Sequence, residues 1–465
     1  MPALMLLRFA FPSLALTLSL NAAPGDLGDL ARRYAWDYGK AATAHARIPS
    51  FSRQTGLPCS DCHTTFPQLT AFGRKFKLNG YTLTDGQVVT AGDSGKRQTL
   101  RLSLIPPWSA MIQTSFTQTR KAAPGTQNGT VDFPQQLSLF LGGAISPRLG
   151  TFVQLTYDPR AGGIGMDNVD IRYANHTHLG SKTLLYGFSL NNNPTVQDVW
   201  NTVPAWGFPF AASGTAPVPA AATLLDGGLA QQVAGLGVYA LLDDHLYGEL
   251  SGYRTAHQGA QSPPDATSTS TIAGVAQYWR AFYKRRLGEQ SLMLGTLGMN
   301  TSLYPLGVTG PRNRFTAIAF DAQHELPLGR GSMTTHAIWI HERQTLDADF
   351  AAGNAANPTN TLNTLRIDAS AYSASRIGLT LGLFATTGTA DELRYPAGEM
   401  TGSAAGSPDS QGLIAELSAL PWLNTRFELQ YVAYRKFNGA TNNYDGAGRN
   451  ASHNNTLYFL SWVAF

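Results

Sequence analysis

The chain has 465 residues, of which only 14% are charged, and its net charge of +4 is spread along the sequence, so no basic stripe marks a nucleic-acid surface. It contains two cysteines, too few to staple a chain of this length with disulfides. Stability has to come from a large hydrogen-bonded framework.

Residues 1–23 read as an export signal. Arg8 precedes an apolar run from Phe9 to Leu20, and small residues follow at Ala22 and Ala23. That run is too short to cross a bilayer as a helix, and nothing after it approaches 18 consecutive apolar residues. An exported chain without transmembrane helices is expected.

The second segment, residues 24–98, carries Cys59-Ser60-Asp61-Cys62-His63, which uses both cysteines. A C-x-x-C-H run is the attachment site of a c-type haem: the thiols form thioethers with the vinyl groups, and the histidine becomes the proximal iron ligand. A structural zinc would want four ligands, and no second Cys/His pair stands at finger-like spacing. One covalently attached haem c is therefore expected on Cys59, Cys62 and His63. A segment this short, small and part helical, buries little surface by itself. It is expected to dock in or against the rest of the chain.

The sixth iron position is open. No Met or His occurs between Thr64 and Arg101, which leaves His45 upstream, Met111 downstream, or water. Met111 shares a polar strand face with Ser109, Gln113, Ser115 and Thr117, and plain packing is its other reading. His45 has the alternative of a solvated linker. Arg74, Lys75 and Lys77 either pair with haem propionates, draw an acidic partner, or form a solvated basic face. Phe66, Phe72 and Phe76 are expected around the porphyrin edge or in ordinary helix contacts.

Residues 99–465 alternate with period two. Leu137, Leu139 and Leu141 alternate with Gln136, Ser138 and Phe140; Val153, Leu155 and Tyr157 with Gln154, Thr156 and Asp158; Ile377 to Leu383 and Phe427 to Ala433 follow the same rule. This is the strand signature. Tight links recur at 147–150, 178–182, 243–244, 286–289, 327–331, 373–376 and 421–425. Between them lie longer Gly-, Asn-, Ser-, Thr- and Pro-rich segments at 120–131, 192–228, 256–270, 345–359, 388–409 and 437–453. Strict alternation of tight turns with long loops describes an outer-membrane barrel, with turns on the periplasmic side. The strands flanking seven turns, with a first and a last, give 16. The fold class expected is all-β, a transmembrane antiparallel β-barrel of 16 strands with a small N-terminal α-helical and irregular haem c segment, in the outer membrane of a Gram-negative bacterium. The terminal strand ending in Phe465 agrees, and Trp108, Trp422, Tyr458 and Trp462 are candidates for interfacial girdles. Segment 192–228, rich in aromatics and Pro, is expected to fold inward as a constriction.

The blocks Ile48-Pro-Ser-Phe-Ser-Arg-Gln-Thr-Gly56-Leu-Pro-Cys59-Ser-Asp-Cys62-His63 and Phe66-Pro-Gln-Leu-Thr-Ala-Phe-Gly-Arg74-Lys-Phe-Lys-Leu-Asn-Gly-Tyr81 resemble the fused monohaem cytochrome–porins of the outer membrane of iron-oxidising bacteria. The remainder is similar to them in architecture and length. The resemblance implies one haem c, a 16-strand barrel, and electron transfer from extracellular Fe(II) to a periplasmic cytochrome c or copper protein, that is, a ferrous-iron oxidase activity. Loop carboxylates such as Asp347, Asp349, Glu392 and Glu399 are either transient Fe(II) contacts or solvating charges. Two other functions remain open: a passive diffusion porin with a haem-bearing gate, and a conduit for another small reductant such as sulfide or a phenazine.

Overall fold

The computed structural model describes residues 49–55, 57–64, 66–82, 107–160, 162–256, 271–305, 307, 309–329, 331–373, 376–422 and 424–465. The signal-like residues 1–23, the candidate ligand His45 and residues 83–106 lie outside them. The strands are β1 (Trp108–Thr119), β2 (Thr130–Ser146), β3 (Leu149–Asp158), β4 (Gly163–Leu179), β5 (Lys182–Asn191), β6 (Val233–Leu242), β7 (Leu246–Thr255) and β8 (Thr271–Ile272). They continue with β9 (Ala276–Leu287), β10 (Gln290–Tyr304), β11 (Asn313–Leu328), β12 (Gly331–Thr345), β13 (Thr359–Tyr372), β14 (Ile377–Gly388), β15 (Ser410–Trp422), β16 (Thr425–Lys436) and β17 (Thr456–Ala464).

Each strand pairs antiparallel with its chain neighbours, and β1 pairs with both β2 and β17, from Met111↔Ala464 to Thr119↔Thr456. The sheet is closed. The two-residue β8 continues the line of β9 along β10, so the 17 segments form a barrel of 16 strands. Closure leaves no edge of unpaired amides, the condition for a sheet to cross lipid.

The alternation is inside out. Leu379, Leu381 and Leu383 are exposed outward, as are Leu137, Leu139 and Leu141, whereas Ser138, Thr380, Glu428 and Gln430 are buried toward the lumen. A soluble sandwich would bury the leucines. An outward apolar band around a closed barrel is the transmembrane arrangement of the bacterial outer membrane, and it places this chain there.

All seven tight turns lie at one end, the periplasmic end by this architecture. The strict alternation expected from the sequence is corrected at two of the eight opposite links: 159–162 and 305–312 are short. In the first, β3 and β4 pair to their last residues, Asp158↔Gly163, and Asp158 closes the turn by accepting from the Gly162 and Arg160 amides at 2.9 and 2.8 Å. The aromatic girdle is corrected too. Trp108 and Trp422 stand exposed on the outer face at the turn end, but Tyr458 and Trp462 share the inward phase of β17 and face the lumen.

The link between β5 and β6, residues 192–232, folds into the barrel. Val196, Trp200 and Val203 in it have no exposed surface. Arg280 of β9 pins it by ion pairs of 2.9 Å to Asp198 in the loop and to Asp321 of β11, Arg366 of β13 pairs with Asp226, and the Leu224 amide donates to Glu342 at 2.6 Å.

Placing a charge in the outward band tests this polarity. Leu381→Arg in the middle of β14 is expected to destabilise the barrel by about 2–4 kcal/mol in lipid vesicles, read by urea unfolding. Thr380→Ser, one residue away on the lumenal face, is expected to cost less than about 1 kcal/mol.

Candidate functional site

Residues 49–82 carry three short helices, α1 (Ser50–Thr55), α2 (Cys59–Cys62) and α3 (Ala71–Leu78). The Thr70 hydroxyl caps α3 by accepting from the Gly73 amide at 3.1 Å, and Gly80, at φ +71°, follows its end. Gly73 lets α3 lie directly on the C-x-x-C-H turn, since a Cβ there would sit 2.2 Å from the Cys62 carbonyl oxygen. Gly150 of β3 does the same for the barrel wall, where a Cβ would lie 2.1 Å from the Gly80 carbonyl.

The segment sits inside the lumen, at the turn end. Most wall anchors come from the turn-end parts of strands, while Tyr81 OH reaches Asp170 in the middle of β4 at 2.6 Å. Ser50 Oγ donates to Gly142 O of β2 at 2.6 Å, Thr334 Oγ1 of β12 to Gln68 Oε1 at 3.0 Å, and Tyr239 OH of β6 to Leu78 O at 2.8 Å. Arg74 makes a bidentate pair with Glu325 of β11, at 2.5 and 3.0 Å, and its guanidinium lies 3.5 Å over the Trp200 ring. Lys77 donates to Val196 O, Asp198 O and Asn201 Oδ1 at 2.7–2.8 Å. The solvated-face reading of Arg74 and Lys77 is therefore corrected: both are buried and hold the segment to barrel and loop. Burial, then the neighbouring Arg172, lowers the Lys77 ammonium to about 7. Lys75 stays exposed.

One cavity of about 200 Å³ lies between this segment, the inward loop and the wall. Cys59, Cys62, His63 and Met111 all border it. Met111 is 3% exposed and inward on β1, as its strand phase requires, and its Sδ accepts from Trp462 Nε1 and, at 3.7 Å, from Gln113 Nε2. The His63 Nδ1 lies 3.1 Å from Pro67 O, which can only accept. Nδ1 therefore carries the proton and Nε2 keeps its lone pair. Burial pulls the His63 imidazole down to about 4, against backbone hydrogen bonds that raise it, so it is neutral at physiological pH. Desolvation raises both thiols, Cys62 to about 11 with help from Cys59 and Asp61.

The walls are aromatic. Phe66 and Phe76 line the cavity, but Phe72, one turn before Phe76 on α3, does not border it and is 37% exposed. Phe51, Phe140, Phe152, Trp206, Phe210 and Trp462 complete the lining. Met111, expected from its place on a polar strand face, is joined by Phe140, Phe152 and Trp462, apolar side chains also standing in the polar phase of their strands; that mismatch is the sequence signal that would have found these three. Among the described residues no three His, Cys, Asp or Glu side chains converge as a metal site. Asp349, one of the loop carboxylates, is held by Arg394 at 3.1 Å and Asn313 at 2.7 Å.

No protein-family model and no curated protein matches the sequence. Among solved structures, the chain is similar to OmpF of Salmonella typhi in complex with daunomycin, with 12% identity, a TM-score of 0.46, and coverage of 77% of this chain and 97% of that one. An anion-selective porin from Comamonas acidovorans gives 13% identity, a TM-score of 0.45 and coverage of 77% and 98%; the outer-membrane channel DcaP of Acinetobacter baumannii gives 11%, 0.44, and 77% and 96%. The strand pairing by itself makes this protein a porin-like outer-membrane β-barrel.

Removing one anchor is expected to loosen the segment without opening the barrel. Arg74→Ala leaves Glu325 partly buried without its partner, at a cost of about 2 kcal/mol and roughly a thirtyfold rise in the undocked population. Limited proteolysis within 49–82 reads that rise, while heat-modifiable migration of the barrel on gels stays as in the parent.

Proposed function

We propose that the protein is an outer-membrane electron conduit, with one haem c held covalently in the turn-end half of the lumen. The observation that carries this reading is the convergence of Cys59, Cys62, His63 and Met111 on one apolar cavity inside a membrane-spanning barrel. The residues fit the group. Two thiols and a neutral imidazole whose Nδ1 is committed to Pro67 border one aromatic-walled space.

When bound, haem would supply one-electron redox chemistry in a barrier that otherwise insulates. Cys59 and Cys62 would anchor it through thioethers, and His63, oriented by Pro67, would hold the iron. Met111 is the candidate sixth ligand among the described residues; its sulfur has two lone pairs, so binding iron would replace one of the hydrogen bonds it accepts from Trp462 and Gln113. The position of the site supports delivery to a periplasmic cytochrome c or copper protein. The donor arrives from outside, and Fe(II) is the donor in the family the sequence resembles, which would make the protein a ferrous-iron oxidase. The inward loop, pinned by Arg280 and Arg366, favours a conduit over a passive diffusion porin.

Mass spectrometry of exported protein is expected to show one added haem, lost in a Cys59→Ser, Cys62→Ser double variant. Haem-loaded protein is expected to be reduced by Fe(II) within seconds, with little sugar flux through liposomes. An inert haem with fast flux would overturn the proposal in favour of the porin. For the sixth ligand, Met111→Leu keeps the volume and removes the sulfur. The expected result is loss of the sulfur-to-iron charge-transfer band and a lower reduction potential; an unchanged band and potential would remove Met111 from the role.

A further inference from the structure

The loop half of the lumen holds a second chamber, of about 400 Å³, bounded by residues 204–226 of the inward loop and by β13 to β17. A wall one chain thick separates it from the cavity below. Within Pro204–Ala212, Phe208 and Pro209 face the chamber, while Trp206 and Phe210 face the cavity. The Phe208 ring is backed by β14 at Gly382, where a Cβ would come within 3.0 Å of it. On the other side the Phe210 ring centroid stands 5.0 Å from that of Phe66, which in turn stands 5.1 Å from that of His63.

The chemistry of the chamber selects its occupant. Among its lining residues only Asp226 and Arg366 carry charge, and both carboxylate oxygens of Asp226 accept from the two terminal nitrogens of the Arg366 guanidinium. The pair is neutral overall, and each carboxylate oxygen is already engaged by the guanidinium. A hard divalent cation needs several free oxygen ligands, which this chamber does not offer. What it offers is an apolar shell of Pro, Phe, Val and Ile with a few hydroxyls, the make-up of a site for a small organic molecule. Thr364 on β13 is 3% exposed and borders the chamber, and its Oγ1 has no hydrogen-bond partner. Its cross-strand neighbour Thr386 lines the chamber beside it. A buried hydroxyl left unpaired costs about 1–3 kcal/mol, and a ligand carbonyl or hydroxyl would recover it.

We propose that this chamber is a binding site for an uncharged, flat aromatic molecule bearing carbonyl or hydroxyl groups, of the size and kind of a naphthoquinone or its reduced form. It depends on the conduit reading only in making that molecule the donor; the seat itself is argued from the chamber.

The test uses the full-length, haem-loaded protein in lipid nanodiscs, with 1,4-naphthoquinone as probe and empty nanodiscs as the partition control. Equilibrium dialysis is expected to show saturable binding of one probe per chain. Ala222→Trp, at an exposed chamber-facing position, is expected to weaken binding at least tenfold, and Thr364→Val severalfold, both with the parent's haem absorption spectrum and gel migration. Mn(II), a spin-active divalent probe, is expected not to displace the quinone. Absence of saturable binding, equal binding in Ala222→Trp, or displacement by Mn(II) would overturn the site. Quinone binding to a protein whose haem no reductant reduces would leave the chamber standing and remove the conduit; Fe(II) reduction without quinone binding would do the reverse.

Discussion

A sheet that closes on itself inside lipid has one place to put its polar side chains, the lumen. Everything else in this molecule follows from that constraint. Hydrocarbon outside removes the usual reason to bury leucine, so the outward phase of each strand carries the apolar residues and the inward phase carries Ser, Thr, Gln, Asp, Glu and Arg. A water-poor cavity within such a lumen has to be built against the pattern. Here it is built by Met111, Phe140, Phe152 and Trp462 on the wall, closed by Phe51, Phe66 and Phe76 from the N-terminal segment and by Trp206 and Phe210 from the inward loop.

The segment and the loop fix each other as much as the barrel fixes either. The Leu69 amide donates to Trp200 O at 3.1 Å, Arg74 stacks on the same tryptophan, and three loop acceptors surround the Lys77 ammonium. Arg280 then ties Asp198, two residues from Trp200, to Asp321 on the wall. Charges this deeply buried are costly unless every partner is in place, so the arrangement favours one docked geometry over a range of loose ones. A redox group placed against His63 needs that rigidity, since its ligands and its dielectric surroundings set its potential.

The lumen is layered along the direction electrons would travel: an outer chamber with a neutralised charge pair, a wall of a single chain, and an inner aromatic cavity next to the periplasmic turns. On the conduit reading proposed above, such layering would separate the place where a donor is selected from the place where its electron is held.

The strand alternation, the seven tight turns and the C-x-x-C-H run were legible in the residues alone, because each is a local pattern. A period of two and a five-residue motif mean the same thing wherever the chain carries them. The inward turn of the aromatic loop was also readable from its Pro and aromatic content. What the chain order could not reveal were contacts between distant residues: Arg74 meets Glu325 across 251 positions, and Phe152 and Trp462 meet at the cavity of Cys59, Cys62 and His63. Those meetings depend on the circumference of the closed barrel and on the register of its strands. Register fixes which inward side chains share a level in the lumen, and only the assembled sheet has levels to share.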